Sequence, residues 1–282
     1  MEMRKIAVLG AGTMGHGIAH AAIASGYETS MYDVSAAVIA KGRSAIEQIV
    51  RRGIELGKTN TADADAALAR LTATTRLEEA LQDAPFVIEA APERLDLKLA
   101  LFADIDRLSP ATAVVASNTS ALSITEMAGS IRNPSRVAGM HFFNPVHKMK
   151  LIEIVQALES APATLEAIET VAKRMGKETV LVRESPGFIT TRVNASIGNE
   201  AFYMLMEGVA SARDIDKALK LGLNHPMGPF ELVDLVGLDT RLNILEYLHH
   251  SLGEKYRPCP LLAQYVKAGR LGRKVGRGVY EY

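Results

Sequence analysis

The chain has 282 residues, 48% of them hydrophobic, and a formal net charge of zero. That length suits two domains of about 100–200 residues each, and the neutral balance leaves no global field to draw nucleic acid or an anionic membrane. One cysteine, Cys259, excludes an intrachain disulfide; with no apolar run near the roughly 18 residues of a spanning helix and no leader-like opening, a cytoplasmic protein without nucleic-acid or membrane partners is expected.

Residues 5–9, KIAVL, form a short apolar run of strand formers that leads directly into Gly10-Ala11-Gly12-Thr13-Met14-Gly15. An apolar-periodic segment, 18–24, follows and ends near Gly26. A strand, a glycine turn and a helix in that order make the G-x-G-x-x-G pattern informative, where alone it is weak. Gly10 suits the tight turn, Gly12 the close approach of a pyrophosphate, and Gly15 the packing of helix on strand. A second strand over 27–32 ends at Asp33, an acid placed to accept hydrogen bonds from an adenosine ribose and to repel a 2′-phosphate. The pattern predicts a dinucleotide site that favours NAD over NADP.

Between Asp33 and the next strand-like run near Leu71 the spacing predicts two helices, 38–56 and 62–69, forming an inserted helical hairpin. Its Lys41, Arg43, Arg51, Arg52 and Lys58 suit either a solvated charged face or the grip on a phosphorylated carrier. Residues 85–90, PFVIEA, read as a buried strand, with Glu93 and Lys98 near the start of a helix over 95–108. A strand over 111–116 runs into Ser117-Asn118-Thr119-Ser120, which can cap a helix beginning near Ser123 or donate hydrogen bonds to a ligand.

The stretch 137–155 places His141 at a strand end and Glu153 on the next strand, twelve residues on. Across a neighbouring pair the carboxylate could orient the imidazole and raise its basicity, as a general base requires; a capped strand end with a buried polar pair is the plainer alternative. A helix over 164–175 and a strand over 179–182 complete an alternation that argues a mainly parallel sheet. From Ser185 strand-like runs disappear, and helices are predicted over 188–206, 211–221, 231–252 and 260–268. The boundary falls near 184–187, dividing a nucleotide-binding domain, 1–184, from an all-helical domain, 185–282. The basic tail from Gly272 to Gly278 reads as flexible, with Val279 and Tyr280 suited to packing down.

Together these residues resemble the L-3-hydroxyacyl-CoA dehydrogenases, most of all the short monofunctional bacterial 3-hydroxybutyryl-CoA dehydrogenases. The similarity spans essentially the whole chain through GAGTMG (10–15), EAAPERLDLK (89–98), SNTS (117–120), HFFNP (141–145), LIEI (151–154), SPGFI (185–189) and HPMGPFELVDLVGLD (225–239). It implies a Rossmann-type α/β fold with an inserted helical hairpin and an all-helical C-terminal domain. It also implies NAD as cofactor, an acyl-CoA thioester as substrate, a homodimer, and no metal. By the same resemblance His141 is the base and Glu153 its orienting acid. Ser120 lies between substrate and nicotinamide, and Asn144 lines the cofactor site beside the catalytic pair. Residues 10–15 with Asp33 meet the adenosine and pyrophosphate, Glu93 and Lys98 lie near the nicotinamide ribose, and Lys274 makes a late cofactor contact.

One position departs from the family pattern. Where many members read Val-Asn-Arg after SPGFI, this chain has Thr190-Thr191-Arg192, so a shorter hydroxyl stands in the asparagine's place. The resemblance also leaves room for a dehydrogenase of free 3-hydroxy acids of the L-gulonate type, and for a non-catalytic NAD-binding module. Lysine-dependent β-hydroxyacid dehydrogenases are disfavoured by HFFNP and LIEIV.

Overall fold

The structure is a computed structural model, and it describes residues 3–282. The chain divides after Glu184 into two compact units. The first runs β1 (Lys5–Leu9), α1 (Thr13–Ala24), β2 (Glu28–Tyr32), α2 (Ala36–Glu55), α3 (Thr61–Ala69), β3 (Leu71–Thr74) and α4 (Leu77–Leu81). It continues through β4 (Phe86–Glu89), α5 (Leu95–Leu108), β5 (Val114–Ser117), α6 (Ile124–Ala128), β6 (Val137–Phe142), β7 (Leu151–Gln156), α7 (Pro162–Arg174) and β8 (Glu178–Arg183).

The eight strands form one sheet in the order β3-β2-β1-β4-β5-β6-β7-β8. The first six are parallel; β7 runs antiparallel to β6, and β8 parallel to β7. Chain order reverses between β1 and β4, and in open α/β sheets ligands bind beyond the carboxyl ends of the strands at such a switch point. Four motifs emerge at that edge: the glycine loop after β1, Glu89 ending β4, Ser117 ending β5, and His141 near the end of β6. Strands buried on both faces read as continuous apolar runs, and all of VAGMHF in β6 is buried. Ile6, Val8, Ile18, Ile23, Met31, Ile88, Met140 and Ile154 belong to the core, each such side chain contributing about 1.5–3 kcal/mol by burial.

The second unit holds α8 (Thr190–Met206), α9 (Ala212–Gly222), α10 (Pro229–Val236), α11 (Leu238–Leu252) and α12 (Pro260–Lys267), with no named strand among the described residues. Phe202, Phe230, Leu238, Leu245, Leu248 and Leu262 form its core, with the Phe202 and Phe230 rings edge to face at 5.2 Å.

Three expectations change in this unit. The single helix over 231–252 is two, broken at Gly237, whose φ of +106° cannot continue a helix. The helix expected from Phe188 begins at Thr190, because Phe188 itself adopts φ +50°. The stretch 272–278, read as flexible, is turned back on itself, the Gly272 N–H donating to the Arg277 carbonyl at 2.9 Å, and the chain end packs down on α10 as Val279 and Tyr280 suggested. Asp234 accepts hydrogen bonds from the Val279 N–H (2.8 Å), the Tyr280 N–H (2.9 Å) and the Tyr282 hydroxyl (3.0 Å). In the first unit, the strand expected from residue 111 starts at Val114, after a turn closed by the Ala113 N–H donating to the Pro110 carbonyl.

Candidate active site

The glycine loop is shaped by where side chains cannot fit. Gly10 has φ +109°, and a Cβ there would lie 2.4 Å from the Ala90 carbonyl oxygen. A Cβ on Gly15 would lie 1.7 Å from the Gly10 carbonyl oxygen, so α1 packs against the loop only because residue 15 has none. Gly12 differs: a Cβ there would meet nothing within 4 Å. It is the N-cap of α1 and offers no side chain to the helix, which leaves the N–H groups of the first turn, from Thr13 and Met14 onward, to an outside acceptor. An open cradle over an uncapped helix N-terminus fits the pyrophosphate of a dinucleotide. Asp33 braces the loop, one carboxylate oxygen accepting from the Ala11 N–H and the other from the Ser35 N–H, both at 3.0 Å.

Beyond β4 and β5 the site is made of charged and hydroxyl side chains. Glu89 is fully buried and carries three short contacts. Its Oε1 accepts from Lys98 Nζ (2.5 Å) and the Ala91 N–H (2.7 Å), and its Oε2 from the Ser117 hydroxyl (2.5 Å). Ser117 Oγ in turn accepts from the Thr119 N–H at 3.2 Å. Glu93 sits above, its Oε1 accepting from the Thr119 hydroxyl (2.6 Å), the Ser120 N–H (2.9 Å) and the Ser120 hydroxyl (3.1 Å). The other Glu93 oxygen lies 3.6 Å from Lys98 Nζ.

The antiparallel pairing of β6 with β7 sets His141 directly opposite Glu153, and their side chains meet at 2.7 Å between Nδ1 and Oε2. Both residues are buried, and the Phe143 ring lies against the imidazole at 4.5 Å between centroids. A carboxylate on Nδ1 makes that nitrogen the donor and turns Nε2 into the position that exchanges a proton. The strand end carrying His141 is pinned from β5: Asn118 Oδ1 accepts from the Phe142 N–H at 2.9 Å. Asn144, two residues past β6, is exposed.

The structure thus brings residues 10–15 and Asp33 together at one end of the sheet's carboxyl edge, Glu93 and Ser120 at the next, and His141 with Glu153 beyond. Lys98, expected near the nicotinamide ribose, lies beneath Glu93. Its ammonium is buried and held by Glu89, with a further bond to the Ala91 carbonyl at 3.2 Å. Lys274 lies in the helical unit, where its ammonium meets both carboxylate oxygens of Asp239 at 2.6 Å. Ser117, Asn118 and Thr119, read as a cap or as donors to a ligand, spend their hydrogen bonds inside the protein, and Glu89, which ties into them, was not singled out. A single acid inside the apolar run FVIEA was the available signal for Glu89. On the hairpin, Arg43 and Arg52 pair with Glu47 and Glu55 of their own helix. Among the described residues no group of three or more His, Cys, Asp or Glu could hold a metal ion, and no helix is long and apolar enough to cross a membrane.

A sheet in this strand order, a glycine loop braced by an acid after β2, and a histidine–carboxylate pair at the same edge define a nicotinamide-dependent dehydrogenase. The 3-hydroxyacyl-CoA dehydrogenase NAD binding domain matches residues 5–185, and the C-terminal domain of the same family matches 187–282. The chain is 46% identical to a probable 3-hydroxybutyryl-CoA dehydrogenase of Bacillus subtilis, over all of this chain and 98% of that one. It superposes on the crystal structure of (S)-3-hydroxybutyryl-CoA dehydrogenase from Ralstonia eutropha with a TM-score of 0.96 at 42% identity, covering 100% and 99% of the two chains. A diketoreductase that acts on dicarbonyl compounds is similar at 27% identity and a TM-score of 0.86, both chains covered in full. The chain belongs to the 3-hydroxyacyl-CoA dehydrogenase family and binds NAD.

Proposed function

We propose that the chain catalyses reversible oxidation of a short-chain (S)-3-hydroxyacyl-CoA, 3-hydroxybutyryl-CoA, to the 3-oxoacyl thioester, acetoacetyl-CoA. The observation that carries this reading is the 2.7 Å contact between His141 Nδ1 and Glu153 Oε2. Bound NAD⁺ supplies the hydride acceptor, and NADH the donor in the reverse direction. His141 takes the proton of the C3 hydroxyl on Nε2, and the buried Glu153 carboxylate holds the tautomer and offsets the imidazolium charge. Ser120 holds the reacting oxygen. Its hydroxyl can leave Glu93 at little cost, since Glu93 keeps the Ser120 N–H and the Thr119 hydroxyl. Asn144 lines the site beside the pair. The basic hairpin suits the phosphates of the CoA moiety. The helical unit, rich in exposed apolar side chains such as Val193, Val209, Leu221 and Leu223, is assigned to a homodimer in the cytoplasm.

The test is steady-state kinetics with NADH and acetoacetyl-CoA on wild type and on His141→Gln. General-base assistance is worth roughly 10²–10⁴-fold in rate, so the variant should lose turnover by about that factor while still binding NADH. Wild-type turnover in the variant would remove His141 from the mechanism. Likeness to a diketoreductase that acts on dicarbonyl compounds favours one other substrate class, a dicarbonyl compound that carries no CoA. Comparing acetoacetyl-CoA with acetoacetate separates the two. Light scattering checks the dimer, which a monomeric mass would overturn.

A further inference from the structure

Among the groups at the sheet edge, Glu89 is the one with the most contacts and no role in the proposed chemistry. It is fully buried, as is Lys98, and the two meet at 2.5 Å. A buried ion pair is a weak source of stability, because the desolvation of both charges roughly offsets their attraction. Its geometry is what asks for an explanation. Apart from the Ala91 N–H on its own Oε1, the contacts of Glu89 lead toward the loop that carries Ser120. Through Oε2 it holds Ser117, which holds the Thr119 N–H. Through Lys98 it sets a positive charge 3.6 Å beneath the second oxygen of Glu93, whose first oxygen holds Thr119 and Ser120. The Glu89 backbone carbonyl accepts from the Asn118 N–H (2.8 Å), and Asn118 pins the strand end after His141.

We propose that Glu89 is a positioning residue that fixes, through Lys98, Ser117 and Thr119, where Glu93 and Ser120 are presented to the nicotinamide half of the cofactor. The adenosine half is handled by different parts: the glycine loop and Asp33 make no hydrogen bond to Glu89. The inference rests on the dehydrogenase reading, but its consequence is readable without any acyl-CoA. Glu89→Gln keeps the shape and removes the charge. Lys98 then lacks its counter-ion, and one of the two carboxylate acceptors becomes a donor facing Ser117.

The experiment measures the dissociation constants of NADH and of ADP, a probe of the adenosine half, by fluorescence and calorimetry on wild type, Glu89→Gln and Ser117→Ala. Glu89→Gln should weaken NADH by roughly tenfold or more, the size of a lost hydrogen bond to a charged group, while ADP affinity stays unchanged. Ser117→Ala should show the same selectivity at lower amplitude. Equal loss of NADH and ADP would mean that Glu89 acts only on folding and would overturn the inference. So would unchanged NADH affinity in both variants. If wild type binds NADH but fails to reduce acetoacetyl-CoA, the substrate reading fails while the Glu89 comparison still stands or falls by its own readout.

Discussion

The two ends of the cofactor-facing edge are built by opposite means. At the adenosine end, after β1, function comes from missing side chains: Gly10 and Gly15 let backbone approach backbone, Gly12 leaves the space over the first turn of α1 open, and one carboxylate, Asp33, braces the turn with two backbone N–H groups. At the other end, after β4, β5 and β6, function comes from buried polar side chains wired to one another: Glu89 with Lys98 and Ser117, Glu93 with Thr119 and Ser120, His141 with Glu153. A diphosphate is recognised by shape and a row of N–H donors, so the first end needs only an unobstructed backbone. Proton transfer needs groups held in register to fractions of an ångström, and only interlocked side chains do that.

The largest effects should follow from breaking the wired end. Glu153→Gln leaves the size of the side chain but removes the charge that stabilises the imidazolium, and should cost turnover on the order of 10²-fold. His141→Gln should cost more, toward 10⁴-fold. Both should bind NADH like wild type, and a large loss of NADH affinity in either would show that the two ends are not separable in this way.

Next comes Gly15→Ala at the backbone end. A methyl placed 1.7 Å from the Gly10 carbonyl oxygen cannot be absorbed by a rotating side chain, because its neighbour is backbone. Overpacking of this kind costs about 1–3 kcal/mol and moves α1 away from the loop. Thermal stability and NADH affinity should fall together; a variant as stable as wild type would refute the close-packing account.

Much of this division was legible in the sequence. The glycine spacing with Asp33 follows from local pattern, and His141 and Glu153 on successive strands are legible as able to meet, while the antiparallel register that sets them opposite each other is not. Lys98 was harder to read, since its burial depends on Glu89, nine positions earlier on a different element, and local pattern carries no sign of that pairing. The break in the long helix was missed because Gly237 lies in an otherwise apolar periodic run, and only its φ of +106° shows that the chain turns. The order of 272–278 is hidden by its basic letters, whereas Val279 and Tyr280 do signal a packed end, which Asp234 holds by accepting from their backbone.

Behind the glycine loop, α1 carries a titratable group that predicts a pH effect. His20 has a buried Nδ1 with no hydrogen-bond partner, and its ring lies edge-on to His147 at 6.3 Å. Burial, then the charges of His147, Lys177 and His16, lowers its pKa from 6.5 to about 4. The folded state therefore holds His20 neutral where the unfolded chain would protonate it. Stability from this group is complete above pH 6.5 and is lost as pH falls toward 4, by about 3 kcal/mol at most. Urea midpoints between pH 7.5 and 4.5 should fall more steeply for wild type than for His20→Gln. Parallel curves would show that the group does not contribute.

The smallest effect on the fold should come from Gly12→Ala, and it is the sharpest comparison with Gly15→Ala. Gly12 has φ −68°, which any residue adopts, and its absent Cβ would meet nothing within 4 Å. Nothing in the protein therefore requires glycine at position 12. Replacing a glycine N-cap by alanine loses a modest capping preference, while the lower entropy of the unfolded chain offsets part of it, so the net change should stay below about 1 kcal/mol. The requirement comes from outside the chain: a methyl there projects into the space over the first turn of α1, where the diphosphate must approach the N–H groups. NADH affinity should drop by about tenfold or more, with the melting temperature nearly unchanged. If affinity held while stability held, the open space above Gly12 would not be the cofactor's seat, and the pyrophosphate would have to be sought elsewhere along the same edge.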